Sequence, residues 1–350
     1  MKILAIDMGK FKSVACDYVA ETGEHGFETL ATGPGEFQDL IVKLNPEVVA
    51  IEICPAAGWV RDLCQALGKR LVVANTSDEP WRWRTVKRKS DRDDALKLAK
   101  LQALKQIGEV HVPAKEVRQW RSLIHYRVTL VGEVTSIKNR IRALVDQVAG
   151  QLPSGEKAFL KDGIEQWEKE HRKPLAKCQP GEMYKGIIDV ELKRMAELGK
   201  HLETVERQLQ KLAKGDERIQ RLKTAPGVGE RTAELVVALI DDPKRFARGK
   251  QVGNYAGLTP KKYQSGTMDH DGRISRGGDG LLRAYLTQAS WVAIRTSDDL
   301  KAIYERVMKG SVKRKKKAIT AVARRLMVRL WAMLRDGTRW RESGVKAVAA

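Results

Sequence analysis

The chain has 350 residues, 42% of them hydrophobic, which is enough to bury real cores and excludes global disorder. Lysine and arginine number 65 against 44 aspartates and glutamates, a net charge of +21, so the expected partner is a polyanion, with nucleic acid first in line. No apolar run approaches the ~18 residues of a spanning helix, and no signal or lipidation motif stands out, which argues against a membrane and for the cytoplasm.

This length suggests two or three domains, and the pattern along the chain divides it into 1–112, 113–215 and 216–350. The first segment alternates strands and helices, the signature of an α/β sheet covered by helices. Lys2–Asp7 is an apolar strand, and Ser13–Ala20 and Gly26–Thr32 read as the arms of a hairpin. Pro34–Leu44 has helical spacing, Glu47–Ile53 is a continuous apolar strand, Gly58–Leu67 is helical and Arg70–Ala74 is a strand. Asp91–Ile107 is an amphipathic helix with Ser90 as its N-cap.

The middle segment has no strand signal. Trp120, Leu123, Ile124, Leu130, Val134, Ile137, Ile141, Leu144 and Val148 mark one long helical face, and Met195, Leu198, Leu202, Val205, Leu209 and Leu212 mark a second. Leu152–Pro180, between them, is broken and of mixed charge. The pair reads as an antiparallel coiled coil, with a helical bundle packed on its own domain as the alternative. The last segment is basic and mostly helical, with helices over Arg218–Thr224, Glu230–Ile240, Phe246–Leu258, Leu281–Thr296 and Lys317–Arg335. A glycine-rich polar stretch, Thr259–Gly280, interrupts them as a loop.

Chemistry-bearing residues recur in each half. Asp7 ends the first strand, Glu52 lies near the end of a later one, and Asp91 and Asp94 share a helix face at i, i+3. Ligands of open α/β sheets gather beyond the carboxyl ends of strands, and a set of carboxylates there suits Mg²⁺ and phosphoryl transfer. Arg82, Arg84, Lys87, Arg88, Lys89 and Arg92 surround the helical pair, interleaved with Trp81 and Trp83, a mixture that holds phosphates and stacks on unpaired bases. Pro226-Gly227-Val228-Gly229 resembles the turn of a helix-hairpin-helix element, in which Gly227 and Gly229 let backbone amides approach a phosphate. Ser265 and Ser275 lie in the glycine-rich stretch near Arg273 and Arg276, and Lys313-Arg314-Lys315-Lys316-Lys317 is a basic run. Cys16, Cys54, Cys64 and Cys178 are too scattered for zinc or a disulfide framework, and the histidines show no ligand spacing.

Asp7, Glu52, Asp91 and Asp94, in that order, resemble the DEDD set of the transposases typified by insertion sequence 110, a family that includes pilin-gene-inverting recombinases and bridge-RNA-guided recombinases. Pro226-Gly227-Val228-Gly229, Tyr255-Ala256-Gly257-Leu258-Thr259-Pro260 and Tyr263-Gln264-Ser265-Gly266 are similar to the second domain of the same family. The resemblance implies a RuvC-like, ribonuclease-H-type first domain whose four acids bind Mg²⁺, a coiled-coil segment, and a mostly helical transposase domain with Ser265 as nucleophile. It also implies a homo-oligomer, dimer or tetramer, with acids and serine from different subunits. The partners it implies are target and donor DNA and a noncoding bridge RNA, met in a prokaryotic cytoplasm at the nucleoid. One departure is visible: the family follows its glutamate with Ala-Thr-Gly, whereas Glu52 precedes Ile53-Cys54-Pro55-Ala56-Ala57-Gly58.

Three other readings compete. Ala5-Ile6-Asp7-Met8-Gly9-Lys10 also resembles the first phosphate loop of actin-like sugar kinases, but no second glycine-rich phosphate loop follows and their substrates do not call for such a positive charge. A RuvC-like metal-dependent nuclease without serine chemistry, or a non-enzymatic nucleic-acid-binding protein, would use fewer of these motifs.

Overall fold

The computed structural model describes residues 1–76, 90–148, 182–266 and 268–342, which divide into two compact units, Met1–Gln119 and Trp120–Ala350. Arg82, Arg84, Lys87, Arg88, Lys89, Trp81, Trp83, the Leu152–Pro180 stretch and Cys178 lie outside the described residues.

The first unit is a mixed α/β layer structure. Strands β1 (Lys2–Asp7), β2 (Lys12–Val19), β3 (His25–Ala31), β4 (Val48–Glu52) and β5 (Arg70–Ala74) form one sheet in the order β3-β2-β1-β4-β5. The hairpin strands pair antiparallel, while β1, β4 and β5 run parallel, joined by helical crossovers. Helices α1 (Pro34–Leu44) and α2 (Ala57–Ala66) cover one face, packing Phe37, Ile41 and Val60 against Leu4, Ile6, Val49 and Ile51. Helix α3 (Asp91–Ala103) covers the other, packing Ala95, Leu98 and Ala99 against Ile3, Ala5, Val48 and Ala50. Both faces of β1 and β4 are therefore buried, which is why these strands read as continuous apolar runs.

Helix α3 begins where the sequence indicates. Ser90 and Asp93 form a capping box, the Asp93 N–H donating to Ser90 Oγ at 3.3 Å and the Ser90 N–H donating to Asp93 Oδ2 at 3.2 Å. It ends four residues before the expected Ile107, because Lys105 takes a left-handed conformation and the chain then runs along β5, bridging Ala74 and Glu109. Burial pushes the Cys16 and Cys64 thiols up to about 11, so both stay protonated and unreactive in the core.

In the second unit the long helices α4 (Lys115–Val148) and α5 (Glu182–Lys214) pair antiparallel: Arg127 meets Glu206 and Arg140 meets Glu191, each at 2.7 Å. Their apolar stripes, Ile137 and Ile141 against Leu192 and Met195 among others, are continuous with the core of the helices that follow. These are α6 (Glu217–Leu222), α7 (Glu230–Ile240), α8 (Gly249–Tyr255), α9 (Gly280–Thr296), α10 (Asp298–Met308) and α11 (Lys315–Asp336). Between α8 and α9 the expected glycine-rich loop is instead a β-hairpin, β6 (Pro260–Ser265) paired with β7 (Met268–Ile274). Helix α10 was not among the expected elements. Ser297 caps it, and Asp298 and Asp299 sit in its first turn.

Candidate active site and nucleic-acid interface

Strand alternation assigns the acids of the first unit a common side. Asp7 has the parity of Ile3 and Ala5, and Glu52 that of Val48 and Ala50, so both face the α3 layer. They follow the paired residues Ile6 and Ile51 on adjacent parallel strands and share the carboxyl edge of the sheet. On α3, Asp94 belongs to the sheet-facing stripe with Ala95, Leu98 and Ala99 and is only 6% exposed, whereas Asp91, one turn earlier, is exposed. The structure thus aligns Asp7, Glu52 and Asp94 on one layer. Among the described residues no three such side chains are closed into a metal cage. The donor set is all carboxylate, which fits a hard divalent cation such as Mg²⁺.

Ser265 is the last paired residue of β6, opposite Met268, and is exposed beside Gly266, whose φ is +55°. Tyr263 stacks on His270 across the strands with ring centroids 5.3 Å apart, and Lys262 lies 3.7 Å from Asp271. The hairpin base is clamped: the Ser275 N–H donates to the Thr259 carbonyl at 2.8 Å, and Arg283 donates to the carbonyls of Gly277 and Gly278 at 2.8 and 3.2 Å. Asp279 caps α9 through the Leu282 N–H and lies 3.0 Å from His125 Nε2. The two serines differ. Ser265 is exposed, while the Ser275 hydroxyl is covered and has no hydrogen-bond partner among the described residues. Arg273 and Arg276 are exposed at the end of β7 and just beyond it, Arg276 in a left-handed conformation. Arg92 lies over the Phe27 ring in the first unit, its guanidinium carbon 5.7 Å from the centroid.

The Pro226–Gly229 turn joins α6 to α7 as a hairpin, and its glycines do different work. Gly227 has φ +72°, and a Cβ there would lie 2.2 Å from the Ala289 carbonyl oxygen, so this position seats the turn on α9. Gly229 is the N-cap of α7, with open space around it and no side-chain cap. Lys313 to Lys317 are all exposed at the start of α11, with no acid in its first turn. Cations at the positive end of a helix dipole are locally unfavourable, a cost that a bound anion would offset.

One basic surface was not legible as a motif. Lys250 on α8, Arg306 on α10, and Arg324 and Arg325 on α11 rim a cavity of about 710 Å³ floored by Ile303, Val307 and Val328. All four are exposed, and none has an acidic partner among the described residues. Asp299, the acid of this cavity, is 3.3 Å from Arg329. These cations come from three helices, so no run in the sequence announces them. Among the described residues no helix is long and apolar enough to cross a membrane.

Residues 4–149 match a family model described as a transposase, of the DEDD kind of IS110, and residues 219–305 match the Transposase IS116/IS110/IS902 family. The chain is 27% identical to the probable family 20 transposase of Pseudomonas aeruginosa, covering 87% of this chain and 89% of that one. It is 25% identical to the transposase for insertion sequence element IS1111A of Coxiella burnetii, covering 95% and 90%. A shorter stretch, 34% of this chain and 37% of the relative, is 29% identical to the pilin gene-inverting protein of Moraxella lacunata. One family model spans the carboxylate sheet and the other the exposed-serine hairpin, and with relatives matched nearly end to end, the chain belongs to the IS110/IS116 family of transposases, enzymes that act on DNA.

Proposed function

We propose that this transposase cuts and rejoins DNA through a covalent bond to Ser265, at sites chosen by pairing with a noncoding bridge RNA. The observation that carries the reading is the exposed serine at the tip of a clamped hairpin, in a chain whose other unit aligns carboxylates on one sheet edge. The first unit is read as RuvC-like, and the α4–α5 pair as a coiled-coil segment separable in function from the transposase domain after about residue 215. The protein is read as a cytoplasmic homo-oligomer that acts at the nucleoid, with acids and serine supplied by different subunits.

In the reaction Ser265 Oγ forms a bond to the scissile phosphorus as the bridging P–O bond to deoxyribose breaks and leaves a strand-end hydroxyl. The serine proton passes to a carboxylate of the acid set, and an incoming strand hydroxyl later reverses the step to rejoin. Asp7, Glu52, Asp91 and Asp94 would hold the divalent cation that the DEDD match implies, whose bound charge stabilises the attacking and leaving oxygens. Arg273 and Arg276 lie near enough in sequence to neutralise the phosphate, and the Gly229 end of α7, Arg92 and Lys313–Arg314 hold the backbone around it.

RNA that copurifies with the protein tests the guide. A single structured species encoded beside the gene is the expected result, and removing it with ribonuclease should abolish joining of donor to target DNA. A random RNA population, or joining that survives the nuclease, would leave only DNA-directed recombination. The basic rim has its own signature. Each neutralised phosphate contributes about −0.9 to the slope of log affinity against log salt for duplex DNA. Replacing Lys250, Arg306, Arg324 and Arg325 with Gln should flatten that slope by up to about 3.6 units, measured by fluorescence anisotropy. An unchanged slope would remove this rim from the interface.

A further inference from the structure

The loop that follows β1 carries the second feature of the carboxylate edge. Phe11 is 75% exposed, the highest value among the described aromatic residues, yet its backbone is fixed. The Thr32 N–H donates to the Phe11 carbonyl at 3.0 Å, Thr32 Oγ1 donates to the Gly9 carbonyl at 3.0 Å, and Ser13 and Thr32 share a hydrogen bond of 2.7 Å. A Cβ on Gly9 would lie 2.0 Å from the Lys12 carbonyl oxygen, so the turn is tight and glycine is required there. Lys10 Nζ stands 5.0 Å from the centre of the Phe11 ring. A large apolar ring held out into water on a rigid turn, with a cation over it, has no role in the cores of this unit.

Beside this turn a cavity of about 550 Å³ opens, lined by Gly9, Lys10, Thr32, Cys54, Pro55 and Trp59. It opens at the same strand ends as Asp7 and Glu52 but on the opposite, α1–α2 side of the sheet, where Met8, Cys54 and Trp59 pack. One wall is the Cys54-Pro55-Ala56 turn between β4 and α2. The Trp59 ring is fixed edge-on against Phe37, with centroids 5.2 Å apart. The volume suits one nucleotide, and a duplex about 20 Å wide would not enter it.

We propose that this cavity takes one unpaired nucleotide of the DNA strand beside the cut, with its base in the cavity against Trp59. Its phosphate meets Lys10, and Phe11 stacks on the neighbouring base. The inference rests on the carboxylate edge being the cutting site, but binding at the cavity does not require metal. Its effect is to hold the strand unstacked at the sheet edge whose other face carries the acids, so that the strand crosses that edge in a single-stranded geometry.

The test uses the full chain in EDTA and a single-stranded DNA containing 2-aminopurine, with its duplex as the comparison. Stacking on an aromatic side chain contributes ~1–3 kcal/mol per base, and 1.4 kcal/mol is tenfold. Phe11→Ala should therefore weaken single-strand binding by about tenfold, leave duplex binding unchanged, and be restored by Phe11→Trp. Lys10→Gln should lower the single-strand salt slope by about one contact, ~0.7. Single-stranded DNA should also slow alkylation of Cys54 severalfold, read at the peptide by mass spectrometry. Equal losses on single strand and duplex, no loss for Phe11→Ala, or unprotected Cys54 would each overturn the proposal. Asp7→Asn separates this result from the metal reading, since it should bind the oligonucleotide as the parent does whether or not it still cleaves.

Discussion

An Asp7→Asn variant should lose Mg²⁺-dependent DNA cleavage by at least about a hundredfold while binding DNA with nearly the parent affinity. The first half follows from the charge. A metal ligated at this edge supplies several kcal/mol of stabilisation to the attacking and leaving oxygens, and each 1.4 kcal/mol is a factor of ten. Asn matches Asp in shape but removes one negative charge from a set whose only donors are carboxylates. The second half follows from position. Asp7 is the last residue of β1, half-buried, and faces the α3 layer, and it belongs to neither the basic rim nor the hairpin turn that are read as gripping DNA. Asn there keeps a polar side chain at the strand end, so the fold should survive, as far-UV circular dichroism would verify. Cleavage is measured with a labelled substrate across a Mg²⁺ titration, and chelation of the metal should reproduce the defect in the parent. Full Mg²⁺-dependent cleavage by Asp7→Asn would remove the acid set from the chemistry.

The centre of the sheet was legible because β1 and β4 are buried on both faces, and only an unbroken apolar run satisfies both layers at once. Leu4 and Ile6 serve α1 and α2, while Ile3 and Ala5 serve α3. The acids were legible for the converse reason: Asp7 and Glu52 are the first residues at which those runs stop. The hairpin β6–β7 was hidden by its exposure. Ser265, Tyr263, Gln264 and their partners have no buried face, so no alternation of polar and apolar residues betrays two strands. Their pairing is held by backbone bonds, by the Tyr263–His270 stack and by the Arg283 clamp at the base, none of which leaves a periodic trace. Helix α10 carries both a cap at Ser297 and an apolar stripe, Leu300, Ile303, Tyr304 and Val307, but the stripe is short and only Leu300 of the described residues on it is fully buried, so the segment reads equally well as a loop between the longer helices. The basic rim was missed because tertiary packing, and no local run, brings Lys250, Arg306, Arg324 and Arg325 together.

A Ser265→Ala variant should bind DNA and RNA but form no covalent protein–DNA adduct, while Ser275→Ala should still form one. The two serines share a glycine-rich segment and a common set of neighbouring arginines, so composition does not choose between them. Their surroundings do. A nucleophile must reach an in-line position behind a phosphorus that is itself held by duplex or strand, and a hydroxyl at the exposed end of a hairpin can do so without moving the fold. Ser265 has that position, exposed beside Gly266, where a Cβ would meet no atom of the described residues within 4 Å. Ser275 lies where the chain turns back toward α9: its amide is bound to Thr259, its hydroxyl is covered, and Arg276 next to it is already in a left-handed conformation. Exposing that hydroxyl would mean opening the clamp formed by Arg283 with Gly277 and Gly278. A serine hydroxyl also ionises too weakly to act unaided, so the attack depends on a carboxylate and on positive charge at the phosphate. Loss of Ser265 should thus lower adduct formation to background, and Ser275→Ala should reduce it only as far as the hairpin base loosens. The measurement is denaturing electrophoresis of a nicked, labelled substrate trapped on the protein, followed by mass spectrometry of the adducted peptide. A phosphate on Ser275 or Tyr263, or cleavage by Ser265→Ala at the parent rate without any adduct, would replace Ser265 with a different nucleophile or with direct metal-dependent hydrolysis.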